Sequence, residues 1–165
     1  MANNMRTVPL MKKGYGAAPV APAVSSGIQT IPFPNGDCYT GGIRNGVFDG
    51  HGYYTFASGA SYEGTFKDGL YEGYGIYICS NGDKYEGQFV GNTFEGTGRM
   101  EKADGEIYEG EFLGNVYHGK GKLKHPNGDI DEAVFKAGYA HGPGTRTYSD
   151  GEVVKGVFMN GKFIE

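Results

Sequence analysis

The sequence predicts an all-β protein, a single-layer antiparallel meander of tandem 23-residue β-hairpin repeats. Glycine accounts for 31 of the 165 residues, where a share of roughly 7% is usual. The chain also has 13 tyrosines and 10 phenylalanines but no tryptophan. Glycine and aromatic residues together are typical of short strands and tight turns. They recur at a fixed period, which indicates a repeat architecture.

The period is 23 residues, and several residue columns keep it along the array. One column is tyrosine, three are glycine and one is phenylalanine. In the phenylalanine column, Ile43 takes the first position, 23 residues before Phe66. The columns are Tyr39, Tyr62, Tyr85 and Tyr108; Gly36, Gly59, Gly82, Gly105, Gly128 and Gly151; Gly50, Gly73, Gly96, Gly119 and Gly142; Gly52, Gly75, Gly98, Gly121 and Gly144; and Phe66, Phe89, Phe112, Phe135 and Phe158.

The columns divide the chain into an arm and an array. Residues 1–26 form an arm rich in Ala, Pro and Gly without a helix or strand period, which we expect to be extended or bound to a partner. The repeat array covers 27–165. It has a half repeat at 27–38, full repeats starting at 39, 62, 85, 108 and 131, and a truncated repeat at 154–165. The repeat from 131 is degenerate, because Asp131 replaces the tyrosine and Ala133 the following glycine.

Asn-Gly and Asp-Gly pairs follow the strands of most units. Some come after the first strand of a unit and others after the second, and both predict two-residue hairpin turns. Two units instead have the reversed pairs Gly91-Asn92 and Gly114-Asn115, which also tolerate a positive φ. The pairs are Asn35-Gly36, Asn45-Gly46, Asp68-Gly69, Asn81-Gly82, Asp104-Gly105, Asn127-Gly128, Asp150-Gly151 and Asn160-Gly161.

Strand alternation assigns the side chains of each unit to two faces. Tyr62, Gly64 and Phe66 share one face with the aromatic residues and glycines of the second strand, so this aromatic face carries only rings and glycines. The other, polar face carries Glu63, Tyr74 and their neighbours. Since a single layer has no second layer to cover it, rings that lie flat in slots left by glycine offer a thin core. Burial of each ring, at about 1.5–3 kcal/mol, offsets the backbone entropy of glycine, at about 0.5–1 kcal/mol.

These residues resemble the membrane occupation and recognition nexus (MORN) repeat family over about 27–165. The motif Y-E-G-x-F followed by G-x-x-x-G-x-G recurs in Tyr62–Gly75, and Tyr85–Gly98 and Tyr108–Gly121 match except for one displaced glycine each. The resemblance implies that the meander forms an elongated, twisted strip with a groove on one face. It also implies a non-catalytic scaffold or adaptor of cytoskeletal and ciliary or flagellar assemblies such as the axoneme. It also implies membrane or phosphoinositide binding in some members and dimerisation through a terminal repeat in others.

The aromatic face is the predicted partner-binding site, because a helix or an extended peptide lying in the groove would supply the missing layer. Tyrosine is also enriched at interaction hot spots. The predicted partner-binding residues are Tyr39, Phe48, Tyr62, Phe66, Tyr71, Tyr85, Phe89, Phe94, Tyr108, Phe112 and Tyr117. We also expect open sheet edges near Ile28–Phe33 and at Val154–Phe158, which suit strand addition or a homodimer.

Catalytic, metal and nucleic-acid functions are not expected. The glycine triplets lie within strands and lack the G-K-[ST] of a phosphate loop. His118 and His141 are 23 residues apart, which places their backbones about 9.5 Å apart, too far to share a zinc ion readily. The net charge of −4 disfavours nucleic acid. The carboxylates at 63, 86, 109 and 132 are expected to be a structural or solvated ladder of the repeat motif. The alternative is that, with those at 72 and 95, they present a negative stripe to a basic segment of a partner.

We therefore expect no enzyme activity, cofactor or metal site. One or several protein partners are expected, in a cytoplasmic, cytoskeleton-associated setting for which a cilium or flagellum is implied by the resemblance alone. The alternative is a peripheral membrane or phosphoinositide-binding module, for which the basic cluster is Arg99, Lys102, Lys120, Lys122 and Lys124. Salt-sensitive binding to anionic vesicles would distinguish this alternative from the adaptor.

Overall fold

The computed structural model describes residues 27–165, and the predicted arm at 1–26 lies outside the described residues. The described chain is thirteen strands in one sheet, in which every strand pairs antiparallel with its sequence neighbour and no helix occurs, so the predicted single-layer meander is confirmed. The strands are β1 (Gly27–Pro32), β2 (Cys38–Arg44), β3 (Val47–Thr55), β4 (Ser61–Lys67), β5 (Leu70–Ile78), β6 (Lys84–Val90), β7 (Thr93–Glu101), β8 (Ile107–Leu113), β9 (Val116–Lys124), β10 (Ile130–Lys136), β11 (Tyr139–Thr147), β12 (Val153–Met159) and β13 (Lys162–Ile164).

The second strand of each unit contains a bulge that the repeat period places at the same point. Gly64 pairs with Gly75 but Thr65 pairs with Glu72, so two extra residues stand on β5 opposite this step. One of them, Gly73, has a φ of 67°, which a residue with a side chain adopts only with strain. A bulge bends its strand, and the same register shift recurs in the other four units.

The two glycine columns of the second strand therefore have different roles. A Cβ atom added to Gly75 would lie 2.7 Å from the Tyr62 hydroxyl oxygen, whereas nothing lies within 4 Å of one added to Gly73. The expectation that both columns form slots for rings is thus confirmed at Gly75 and wrong at Gly73. Gly73 is present for its backbone conformation, because it carries the bulge.

The turns also fall into two classes, and the prediction of two-residue hairpins holds at only one end of the sheet. In Asp68-Gly69 both residues have a positive φ, 49° and 80°, as a type I′ turn requires. At the other end only the glycine has a positive φ, 94° at Gly82. There the Asn81 side chain accepts a hydrogen bond from the Asp83 amide at 3.1 Å. This local bond favours a wider turn, so the predicted two-residue turns at this end are wrong.

The reversed turn pairs join successive units more strongly than the Asp-Gly pair does. The Asn92 amide donates to the Tyr71 carbonyl at 3.1 Å, and the Asn92 side-chain oxygen accepts from the Tyr71 amide at 2.7 Å. Asn115 makes the same two bonds to Phe94, at 3.1 and 2.6 Å. Gly69 makes only the backbone bond to the preceding unit. The Gly-Asn order thus places an asparagine where its side chain can add a second bond.

The fifth unit replaces a buried ring with a buried ion pair. Asp131 stands in the tyrosine column, and its carboxylate accepts two hydrogen bonds of 2.7 Å from Arg146. His125 Nε2 lies 2.7 Å from the same carboxylate. The methyl group of Ala133 is tolerated in this unit because no tyrosine ring lies over its position.

Candidate functional site

The aromatic face is built from one repeated ring cluster. The Tyr62 ring lies over Gly64 and Gly75 and stacks on the Tyr71 ring, with a centroid separation of 3.6 Å. Phe66 and Phe89 approach it edge-on, each at 5.1 Å. Both arrangements are favourable for aromatic pairs. Stacks at 3.7–3.8 Å recur at Tyr39–Phe48, Tyr85–Phe94 and Tyr108–Tyr117.

Each tyrosine of the repeat column is fixed by a hydrogen bond to its own strand. The Tyr62 hydroxyl donates to the Thr65 carbonyl at 2.9 Å, immediately after the register shift of the bulge. Tyr39, Tyr85 and Tyr108 make the same bond three residues ahead, at 2.8–2.9 Å. The hydroxyl bond therefore crosses the register shift and holds the ring against its own strand.

Tyr71 differs from Tyr62 because its buried hydroxyl has no hydrogen-bond partner within the described part of the chain. Burial raises the pKa of Tyr71 well above its ordinary value. Burial also raises the pKa of Tyr39 and of Tyr77 to about 12 in each case. These hydroxyls stay protonated at neutral pH, so none of them is a general base.

All eleven residues predicted to bind a partner lie in the core, with exposed fractions between 0% and 7%. They are contiguous, as the repeat columns indicated, and the stacked and edge-on contacts connect them. Their contact with a partner stays a prediction. The half-buried side chains around them are the part of this face that solvent reaches, and Phe33, Phe56 and Leu123 belong to that rim.

A row of alternating charges crosses the polar face. Successive strands pair Glu86 with Arg99, Arg99 with Glu109, Glu109 with Lys122, and Lys122 with Glu132. Arg99 Nε donates to Glu109 at 2.8 Å, and Lys122 Nζ lies 3.1 Å from Glu132. Any negative stripe is therefore neutralised along these strands.

Sequence reasoning missed the place where this row loses its cations. Glu63 lies in the same row and is flanked by Tyr53 on β3 and Ile76 on β5. Within residues 27–165 it has no ion pair. Tyr74, also on the polar face, lies opposite Gln88 on β6, is 55% exposed and donates to Glu86. Comparison of positions 53, 76, 99 and 122 along the repeat would have revealed the change from cations to apolar residues.

The titratable groups of the fifth unit are structural. Burial alone would raise the pKa of Asp131, but the hydrogen bonds and charges of Arg146 and His125 hold it below its ordinary value.

Outside the fifth unit, burial raises the pKa of the Cys79 thiol to about 11, so it is not a thiolate nucleophile at neutral pH. Among the described residues, no group of three or more His, Cys, Asp or Glu could hold a metal ion.

The comparisons with known proteins agree with this geometry. The model of the MORN repeat family matches residues 39–61, 62–84, 85–107, 108–130 and 132–153. No curated protein has a significant sequence match to the chain. A solved structure with a similar fold is the SAS-4 (dCPAP) TCP domain of Drosophila melanogaster, in complex with a proline-rich motif of Ana2 (dSTIL). It has a TM-score of 0.52 and 14% identity, over 83% of this chain and 81% of that one, so the likeness concerns the fold alone. Over residues 27–165, no helix is long and apolar enough to cross a membrane.

Proposed function

This chain belongs to the MORN repeat family, and from that premise we propose that it is a non-catalytic structural adaptor whose aromatic face binds segments of partner proteins. MORN repeats are often modules for protein or membrane interaction. The observation that carries the proposal is that the core of the described chain consists of aromatic rings packed on glycine, which hold one open sheet in a fixed shape. The hydroxyls of these buried tyrosines stay protonated at neutral pH and offer no general base. Thirteen strands at about 4.8 Å give a strip of about 58 Å.

The partner in this proposal is an extended or helical segment of another protein. The SAS-4 domain, which shares the fold, is described in complex with a proline-rich motif, which supports a protein ligand. The eleven buried rings form the floor of the site, and rim residues such as Phe33 and Phe56 supply contact area. The setting, a cytoskeletal and more narrowly a ciliary or flagellar assembly, rests on the family resemblance.

Photo-crosslinking in cells tests the adaptor proposal without disturbing the core. A photoreactive phenylalanine analogue replaces Phe56 on the rim of the aromatic face, and in a matched variant it replaces Tyr74 on the polar face. We expect Phe56 to give discrete protein adducts, which mass spectrometry identifies as cytoskeletal or ciliary components. Adducts from Tyr74 alone would refute binding at the aromatic face, and lipid adducts alone would refute a protein partner.

Exposed lysines of β9 support a second candidate, peripheral binding to anionic lipid. Lys120 and Lys124 have no ion pair among the described residues, although Lys122 is paired with Glu132. Co-sedimentation with phosphoinositide-containing vesicles at two salt concentrations tests this candidate, because electrostatic attachment weakens as salt rises. Substitution of Lys120 and Lys124 by glutamine should abolish any such binding.

Self-association through a terminal strand is a further part of the proposal. The edge predicted at Val154–Phe158 is partly covered, since β13 pairs with Val157–Met159, whereas among residues 27–165 β1 pairs only with β2. A proline at Ile28 would weaken pairing along the outer edge of β1, because the ladder that includes the Phe33–Asp37 bond turns the Ile28 amide away from β2. Sedimentation velocity of the Ile28→Pro variant and the wild type should show fewer dimers for the variant, and equal profiles would contradict this route.

A further inference from the structure

We propose that the polar face carries a second contact site, in which Glu63 and the Tyr53 ring on the neighbouring strand bind an arginine side chain of a partner protein. The site lies on the sheet face opposite the aromatic floor. The inference rests on the proposed adaptor function, since it specifies the chemistry of a partner.

The argument starts from the charge row of the polar face. Every 23 residues the row places a glutamate, and the strands beside Glu109 carry Arg99 and Lys122. At Glu63 the two flanking positions are Tyr53 and Ile76. Adjacent strands are about 4.8 Å apart. Within the row, Glu109 has a cation on both sides, Glu86 and Glu132 have one each, and Glu63 has none.

The surroundings of Glu63 complement a cation that arrives from outside. Tyr53 lies directly opposite Glu63 on β3 and is 45% exposed. Tyr74 takes no part in this site, because it lies opposite Gln88 on β6 and its hydroxyl donates to Glu86. The ring faces of tyrosine attract a cation by their quadrupole.

Arginine suits this arrangement better than other ligands. Its planar guanidinium can stack on a phenol ring while two N–H groups donate to one carboxylate, whereas an ammonium group cannot stack in this way. The Arg99 Nε bond to Glu109 shows the same pairing within the row. Phosphate and lipid headgroups are excluded because Glu63 would repel them. In effect, the partner's arginine supplies the cation that the row lacks at this point.

A peptide titration of the complete chain tests the site. The probe is an acetylated and amidated peptide with one arginine flanked by glycine and serine, and the controls replace the arginine with citrulline or lysine. Backbone amide shifts measured by NMR report binding and its location. Glu63→Gln removes the charge at an exposed side chain, and Glu109→Gln is the matched variant, because that glutamate already has a partner.

We expect saturable shifts centred on Glu63 and Thr65 with the arginine peptide and weaker binding of both control peptides. Loss of the charged bond should weaken binding at least about ten-fold in Glu63→Gln, while Glu109→Gln binds as the wild type does. Equal binding of the citrulline or lysine peptide, unchanged binding by Glu63→Gln, or shifts centred on Glu109 would overturn the proposal. Crosslinking of a partner from Phe56 in that case would leave the adaptor function standing.

Discussion

Tyr62 on β4 and Tyr71 on β5 stack on each other, yet removal of the hydroxyl is predicted to have opposite effects at the two positions. Tyr71→Phe removes a buried hydroxyl that has no hydrogen-bond partner in the described chain. Such an unsatisfied group costs about 1–3 kcal/mol. The ring and its 3.6 Å stack on Tyr62 are retained. We therefore expect Tyr71→Phe to raise the free energy of unfolding by about 1–2 kcal/mol. Phenylalanine already occupies the equivalent positions, Phe48 and Phe94.

Tyr62→Phe is the matched control, because it removes a hydroxyl that is bonded to the Thr65 carbonyl at 2.9 Å. The loss of a hydrogen bond and the unpaired carbonyl should lower the free energy of unfolding by about 1–2 kcal/mol. Urea denaturation followed by circular dichroism measures both variants, and unchanged m-values confirm that the folded surface is the same. A destabilised Tyr71→Phe, or two variants that shift in the same direction, would refute the account of the ring stack.

Four further predictions follow from the backbone and the buried groups. Gly64→Ala should cost more than 3 kcal/mol or prevent folding, because its Cβ would lie 2.5 Å from a tyrosine hydroxyl; Gly73→Ala meets no atom and should cost only about 1–2 kcal/mol of backbone strain. Ala137 has a φ of 47°, so Ala137→Gly should raise the melting temperature, and a decrease would contradict the strain. The lowered pKa of Asp131 adds stability above about pH 4 that is lost as pH falls, and Asp131→Asn should remove this slope and cost about 3 kcal/mol at neutral pH. Burial raises the pKa of Tyr39 to about 12, so protonated Tyr39 stabilises the folded state fully below about pH 10, and this stabilisation is lost as the pH rises further. Tyrosinate absorbance should therefore appear together with loss of circular dichroism.

The repeat period predicted the strands, their order and the aromatic face, because each depends on side-chain alternation and on residues that recur in every unit. It could not separate Gly73 from Gly75, since both are glycine in every unit and the bulge that distinguishes them arises from pairing between strands. It also gave no sign that Asn81 would form a wide turn, because Asn-Gly serves both turn classes and the choice depends on neighbouring backbone bonds. The bond from Tyr62 to the Thr65 carbonyl falls at the same register shift, so the period did not reveal it either.

Recognition by this chain has to come from the positions at which its units differ. The rings and glycines that recur in the four units from 39 to 130 build the same structure in each of them and therefore cannot mark one place among them. Glu63 and Glu109 occupy the same column, yet only Glu109 has cations on the neighbouring strands. Tyr53 and Ile76 are the cross-strand neighbours of Glu63, a combination that no other glutamate of this column has within the described array. A partner that reads this difference would bind in one register, whereas a partner that contacts only the repeated floor could slide by one unit of about 9.5 Å.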